Sequence, residues 1–245
     1  MEPLLLSADG ITKKYRNIQA LRGVSVSVRQ GSVTAIVGDN GSGKSTLIRI
    51  LSGTIRPDSG RIRIENRDYA SLTVREAMRA GIRTVYQDLA LDNCKNSAEN
   101  IFLGEELCTG PFLNRRRMML EASRLLEEIR VSIPDLSEPV RNLSGGQRQG
   151  VAIARALRRP GRLLLLDEPT AAMGVQEAQS TLHLLRRLRE RGETLLMVSH
   201  NLHQVCSIAD YVYVMRAGEI LFETDTAGLT PEQLQDRLLE QEEAD

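Results

Sequence analysis

Three stretches of this 245-residue chain carry side chains and glycines at spacings that suit phosphate chemistry. The first is Gly38-Asp39-Asn40-Gly41-Ser42-Gly43-Lys44-Ser45, set between the apolar run Val33-Thr34-Ala35-Ile36-Val37 and the segment Thr46-Leu47-Ile48-Arg49-Ile50-Leu51. The G-x-x-x-x-G-K-S spacing reads as a strand, a glycine loop and a helix. Its glycines reach backbone angles closed to residues with a Cβ, so successive N–H groups converge on one anion at the positive end of the helix. The expected anion is a phosphate chain, cradled by residues Gly38 to Thr46. Lys44 then reaches the terminal phosphates through a charge-assisted bond, and the Ser45 hydroxyl ligates the Mg²⁺ that accompanies ATP.

The second stretch is Leu143-Ser144-Gly145-Gly146-Gln147-Arg148-Gln149, running straight into the helical sequence Val151-Ala152-Ile153-Ala154-Arg155-Ala156-Leu157. A Ser-Gly-Gly turn that opens a helix is a second anion site. The third is Leu163 to Leu166, a run that fits a fully buried parallel strand, ending in Asp167-Glu168. Adjacent carboxylates at a strand end can divide the labour. Asp167 holds Mg²⁺ through water, while Glu168 orients and deprotonates the attacking water. The strand Thr194 to Val198 ends likewise at Ser199-His200, and in an open parallel sheet ligands gather beyond the carboxyl ends of the strands. His200 can therefore reach the terminal phosphate. His183 and His203 fall inside helical patterns and read as solvated.

Two further residues leave alternatives open. Gln87, at the end of the strand Ile82 to Tyr86, can ligate a metal or orient water, or simply cap a turn. Tyr15, in the polar stretch Lys13-Lys14-Tyr15-Arg16, can stack on a flat ligand such as adenine, or be an incidental exposed ring.

The elements that must position these groups follow from patterning. Leu4 to Ile11, Val24 to Val28 and Gly60 to Ile64 read as strands of a β-rich opening. Thr73-Val74-Arg75-Glu76 has capping-box spacing and starts a short helix. Asn114 caps a helix whose Met118, Ala122, Leu125, Leu126 and Ile129 share one face, so residues 88 to 160 read as a mostly helical insertion. Arg115-Arg116-Arg117 in its first turn reads as a solvated face, with a binding patch as the alternative. Tyr211 to Met215 and Ile220 to Glu223 form a hairpin across Ala217-Gly218, and Thr230-Pro231 starts an acidic terminal helix.

Lys and Arg together number 32, as do Asp and Glu, so no net positive field draws the chain to nucleic acid or anionic lipid, and only local basic patches are left open. No apolar run approaches the ~20 residues that span a bilayer, and Met1-Glu2-Pro3 with three leucines is too short for a signal peptide, so the expected compartment is the cytosol. Cys94, Cys108 and Cys206 are far apart and read as buried or incidental thiols, neither a disulfide framework nor a zinc site.

Taken together, the phosphate loop, Gln87, Leu143-Ser144-Gly145-Gly146-Gln147, Leu163 to Pro169 and His200 resemble the ATPase subunit of ATP-binding cassette (ABC) transporters over nearly the whole chain. Leu-Ser-Gly-Gly-Gln is the most specific element, since ordinary P-loop ATPases lack it. The resemblance implies an α/β fold: a P-loop NTPase (RecA-like) core with an N-terminal antiparallel β subdomain and an inserted α-helical subdomain. The core would span residues 1–87 and 161–225, the helical subdomain 88–160 and a helical tail 226–245. It implies that Tyr15 stacks adenine, Lys44 and Ser45 bind phosphates and Mg²⁺, and Gln87 links the metal site to the permease. It also implies that Glu168 is the base, that His200 contacts the γ-phosphate, and that Ser144 and Gly146 contact ATP held by the other subunit.

Within the family, Val85 to Leu91, Asn100-Ile101-Phe102-Leu103-Gly104 and Pro169 to Val175 look like bacterial importers of ribose, xylose and fructose type. Many of those ATPases carry two cassettes in one chain; a single cassette with every motif implies a homodimer. The implied partners are integral membrane permease subunits and, indirectly, a solute-binding protein, at the cytoplasmic face of the inner membrane. Gly174 departs from the aspartate that many members place there to contact the opposite subunit. Competing expectations are another transport substrate, a soluble non-transport cassette ATPase, and a nucleotide-binding scaffold, which intact Glu168 and His200 oppose.

Overall fold

A computed structural model describes residues 3–243; Met1, Glu2, Ala244 and Asp245, with the leader and tail readings that touch them, lie outside the described residues. In chain order the elements are β1 (Leu4–Tyr15), β2 (Ile18–Arg29), β3 (Val33–Val37), α1 (Lys44–Leu51), β4 (Ser59–Ile64), β5 (Arg67–Tyr69), α2 (Val74–Arg79) and β6 (Ile82–Val85). There follow α3 (Ser97–Ile101), β7 (Cys108–Thr109), β8 (Phe112–Leu113), α4 (Arg115–Glu128), α5 (Gly145–Leu157), β9 (Leu163–Asp167) and α6 (Val175–Glu190). The last are β10 (Thr194–Ser199), α7 (Leu202–Cys206), β11 (Tyr211–Arg216), β12 (Glu219–Asp225) and α8 (Pro231–Glu243).

The chain divides into two compact units. One comprises the residues through Thr84, Gly161–Glu168 and Arg189 onward; the other comprises Val85–Pro160 and Pro169–Leu188. In the first, a four-stranded sheet of order β2-β1-β4-β5 accompanies a six-stranded sheet of order β12-β11-β3-β10-β9-β6. Within the larger sheet β11, β3, β10 and β9 run parallel, and β12 turns back antiparallel on β11. The reason lies in composition. Every residue of β3, β9 and β10 is buried, as strands covered on both faces require. Burial of each leucine in Leu163–Leu166 contributes about 1.5–3 kcal/mol, which fixes the strand end where the carboxylates emerge.

The opening strands are longer than their apolar runs predict. β1 and β2 pair continuously to Tyr15 and Ile18, with register shifts around Ala8/Ile11 that absorb Gly10 at φ 62°. Ser27 N–H donates to the Tyr213 hydroxyl at 3.1 Å, tying β2 to β11; burial raises the Tyr213 pKa to about 12.

In the second unit, α4 buries Met118, Ala122 and Leu126. Ile129 is buried just past its end, and Leu125 is half-buried. Asn114 Oδ1 accepts from Arg117 N–H at 2.9 Å, the expected cap. β5, α3 and the β7–β8 hairpin are additions that periodicity did not announce, being two to five residues long. Cys94 and Cys108 are exposed and Cys206 is partly covered, all three free thiols. Among the described residues no helix is long and apolar enough to cross a membrane.

Candidate active site

The glycine loop takes its shape from backbone packing. Gly38, Gly41 and Gly43 adopt φ of 155°, 86° and 108°. A Cβ on Gly38 would lie 2.0 Å from Met215 O, and one on Gly43 2.5 Å from Ala20 O, so β11 and β2 wall the loop. Gly218 N–H donates to Ser42 O at 2.9 Å and Arg22 N–H to Gly218 O at 2.8 Å, so the β11–β12 turn joins loop and β2.

Lys44 begins α1 and is buried, donating to Gly38 O at 2.7 Å and Asp39 O at 2.8 Å. Its Nζ lies 4.0 Å from Glu168 Oε1. Burial lowers its pKa, opposed by the charges of Glu168, Asp39 and Asp167. Ser42 Oγ is buried without a hydrogen-bond partner among the described residues. A phosphate chain would supply both an acceptor for that hydroxyl and a counter-charge for Lys44. The loop therefore fits the group its sequence predicts.

Ser45 Oγ donates to Asp167 Oδ1 at 2.9 Å. The Asp167 pKa is raised, first by burial and further by the neighbouring Glu168, against the Ser45 hydrogen bond. No cluster of three His, Cys, Asp or Glu groups suited to a metal exists among the described residues. A hydroxyl beside one carboxylate nevertheless fits Mg²⁺, which binds through one or two protein oxygens and completes its shell with water and substrate phosphates.

Glu168 leaves β9 at φ 50°, a left-handed conformation costly for a residue with a long side chain. Its N–H donates to Val198 O at 3.1 Å, so β10 holds the turned backbone in place. The carboxylate then faces two neighbours: Oε2 stands 2.6 Å from His200 Nδ1, while Oε1 faces Lys44. A cavity of about 450 Å³ is lined by Gly38, Asp39, His200 and Asn201. Lys44, Ser45, Asp167, Glu168 and His200 thus form one contact chain. Tyr15 ends β1 at the hairpin tip, 41% exposed, with Lys13 Nζ 5.8 Å from its ring centre.

The remaining predicted residues belong to the second unit. Gln87 is exposed just past β6. Ser144 caps α5 in a capping box: its Oγ accepts from Gln147 N–H at 3.3 Å and Gln147 Oε1 accepts from Ser144 N–H at 3.0 Å. Gly145 N–H donates to Glu177 Oε1 at 2.8 Å, and Glu177 Oε2 accepts from Gly174 N–H at 3.2 Å. One carboxylate therefore sits on the positive ends of both α5 and α6. Sequence reasoning passed over Glu177. Its spacing from Gly174 is that of a helix-capping glutamate, but the bond to Gly145 spans 32 residues and leaves no local signal. A cavity of about 670 Å³ opens beside this turn, lined by Ser144, Gly146, Gln147, Glu177, His183 and Arg187.

A glycine loop with a buried lysine, a hydroxyl–carboxylate pair at the next strand end and a glutamate–histidine pair beside it define a nucleotide-hydrolysing P-loop protein, and the capped Ser-Gly-Gly turn narrows the class. The family model described as ABC transporter matches residues 21–171. The chain belongs to the ABC transporter family, as one of its ATPase cassettes. It is 43% identical to the xylose/arabinose import ATP-binding protein of Sulfolobus acidocaldarius, over 89% of this chain and 87% of that one. It is 40% identical to the fructose import ATP-binding protein of Rhizobium meliloti, over 90% and 87%. Among solved structures, a nucleotide-free ATP-binding cassette from an ABC transporter superposes with a TM-score of 0.82 at 30% identity, covering 96% of this chain and 95% of the other. A dimeric cassette bound to ADP and Pi superposes at 0.77 with 27% identity, over 91% and 99%.

Proposed function

We propose that this chain is the ATP-hydrolysing subunit that powers uptake of a monosaccharide through a separate membrane permease. The observation that carries the chemistry is the contact chain from Lys44 and Ser45 through Asp167 and Glu168 to His200. The printed functions of the relatives, import of xylose, arabinose and fructose, support the substrate class. In this reading the loop amides from Gly38 to Thr46 and Lys44 hold the phosphates, and Tyr15 stacks on the adenine. Ser45 and Asp167 would hold Mg²⁺, which would supply charge neutralisation on the phosphates. Glu168 accepts the proton of the attacking water. His200, bonded to Glu168, orients that carboxylate and faces the γ-phosphate.

The subunit works as a homodimer, with Ser144 to Gln147 of one protomer completing the nucleotide site of its mate; the dimeric cassette among the similar structures supports this assembly. Residues 88–160 form the helical subdomain, and Gln87, where it joins the core, carries the state of the site to the permease. The assembly sits peripherally on the cytoplasmic face of the membrane, with a solute-binding protein delivering the sugar from outside.

The test is reconstitution with candidate sugar permeases in proteoliposomes, supplied with candidate solute-binding proteins and labelled pentoses and hexoses. ATP-dependent accumulation of one of these sugars, lost in Glu168→Gln, is the expected result. Active ATP hydrolysis with no uptake of any monosaccharide, or capture of soluble partners alone, contradicts the proposal.

A further inference from the structure

The start of α4 runs against its own electrostatics. The N-terminus of a helix is its positive end and favours acidic residues. Here the first turn holds no acidic residue and three arginines, Arg115, Arg116 and Arg117, all exposed. Only Arg115 approaches a carboxylate within the unit, Glu99 at 4.0 Å. Glu105, an acid of the same unit, is engaged by Arg158 and Arg159. Three like charges on a positive helix end cost stability unless something anionic meets them.

The hairpin that leads into this turn is equally unusual. Phe112 is 77% exposed and Leu113 53%, on a two-residue strand anchored by Asn114 N–H to Leu107 O at 2.7 Å. Leu120, 52% exposed, lies one helical turn beyond Arg116 and Arg117. Two apolar side chains at a hairpin tip are too few for the packed centre of a protein interface. Successive arginines point about 100° apart around the helix, so they make no single stripe for one complementary face. A plane of anions above a shallow apolar layer accepts this arrangement without a matching surface, with the Phe112 ring and the leucines entering the acyl boundary and the arginines reaching headgroups.

We infer that the β7–β8 hairpin and the first turn of α4 form a contact with anionic lipid headgroups, with Phe112 and Leu113 entering the interface and Arg115, Arg116 and Arg117 binding lipid phosphates. This goes beyond attachment through a permease, and it holds whatever solute is carried.

The chain has no tryptophan, so Phe112→Trp introduces a single reporter. The purified full chain carrying it is titrated with vesicles of phosphatidylcholine alone and with vesicles containing phosphatidylglycerol. A blue shift with the anionic vesicles only, weakened by salt and quenched by brominated acyl chains, is expected. Changing all three arginines to glutamine in the same chain lowers partitioning by about fivefold each, on the order of a hundredfold together. ATP hydrolysis by each variant reports that the fold is kept. No shift with anionic vesicles, or a shift unaffected by the arginine changes, overturns the inference. A shift that appears only when the vesicles carry the permease identifies a protein contact and overturns it too. Permease-stimulated hydrolysis, measured on the same preparations, tests the transport reading separately.

Discussion

Both proposed phosphate cradles of this chain are built from glycines at a helix N-terminus, yet their charges are balanced in opposite ways. The loop before α1 buries a lysine on two carbonyl oxygens and leaves Ser42 Oγ unpaired. The turn before α5 meets its own carboxylate, Glu177, on Gly145 N–H. The first leaves a buried hydroxyl unpaired among the described residues, and the second already holds a carboxylate on a helix-end amide. Under the proposed function this difference would divide the work: the Lys44 loop would retain a nucleotide within its own chain, whereas the Ser144 turn would contribute once phosphate is brought to it. Each opens on its own cavity, about 450 Å³ at the first and about 670 Å³ at the second.

Variants can break this contrast in order of effect. Glu168→Gln removes the base while keeping the side-chain shape, so turnover falls by about 10²–10⁴-fold with ATP binding retained; single-turnover hydrolysis and nucleotide titration measure the two separately. Near-normal turnover would remove Glu168 from its role. Glu177→Ala acts on the second cradle. It frees two amides at helix ends and costs about 0.5–2 kcal/mol of stability, read by denaturant unfolding, with nucleotide affinity at the Lys44 loop unchanged. A loss of that affinity would show the two cradles to be coupled within one chain.

The smallest effect on folding stability concerns Asp167. Its folded pKa is raised, so its charged form costs stability above that pKa, and the cost vanishes below the ordinary carboxylate value, where both folded and unfolded states are protonated. Asp167→Asn should therefore melt a few degrees higher at neutral pH, with the gain shrinking as pH falls, while Mg²⁺-dependent hydrolysis is lost. Equal melting temperatures at neutral pH would contradict the assigned burial cost.

The same contrast explains what could be read from the sequence. The Lys44 loop, Asp167, Glu168 and His200 were legible because each closes or follows a buried strand, and buried strands write continuous apolar runs. The Ser144 turn was legible through its serine and glycines at the start of a helical pattern. Glu177 was not, because its decisive bond joins distant segments. The left-handed backbone of Glu168 left no trace either, since that angle is imposed by β10 through Val198 O. α3 was missed although Asn96 and Glu99 have capping-box spacing, because five residues are too few to show a period. β5, with Arg67 and Asp68, carries no apolar alternation and pairs only through β4.

The central claim is that the two cradles meet across a homodimer, and mixing two inactive variants tests it most directly. Lys44→Ala disables the first cradle and spares the second; Ser144→Arg does the reverse. In an equal mixture half the dimers are mixed, and each holds one intact composite site and one doubly broken site. With free exchange and independent sites, ATP hydrolysis returns to about a quarter of normal, while each variant alone stays inactive. Mixed dimers shown to form, by differential tagging, that neither close on ATP nor hydrolyse it would contradict the account.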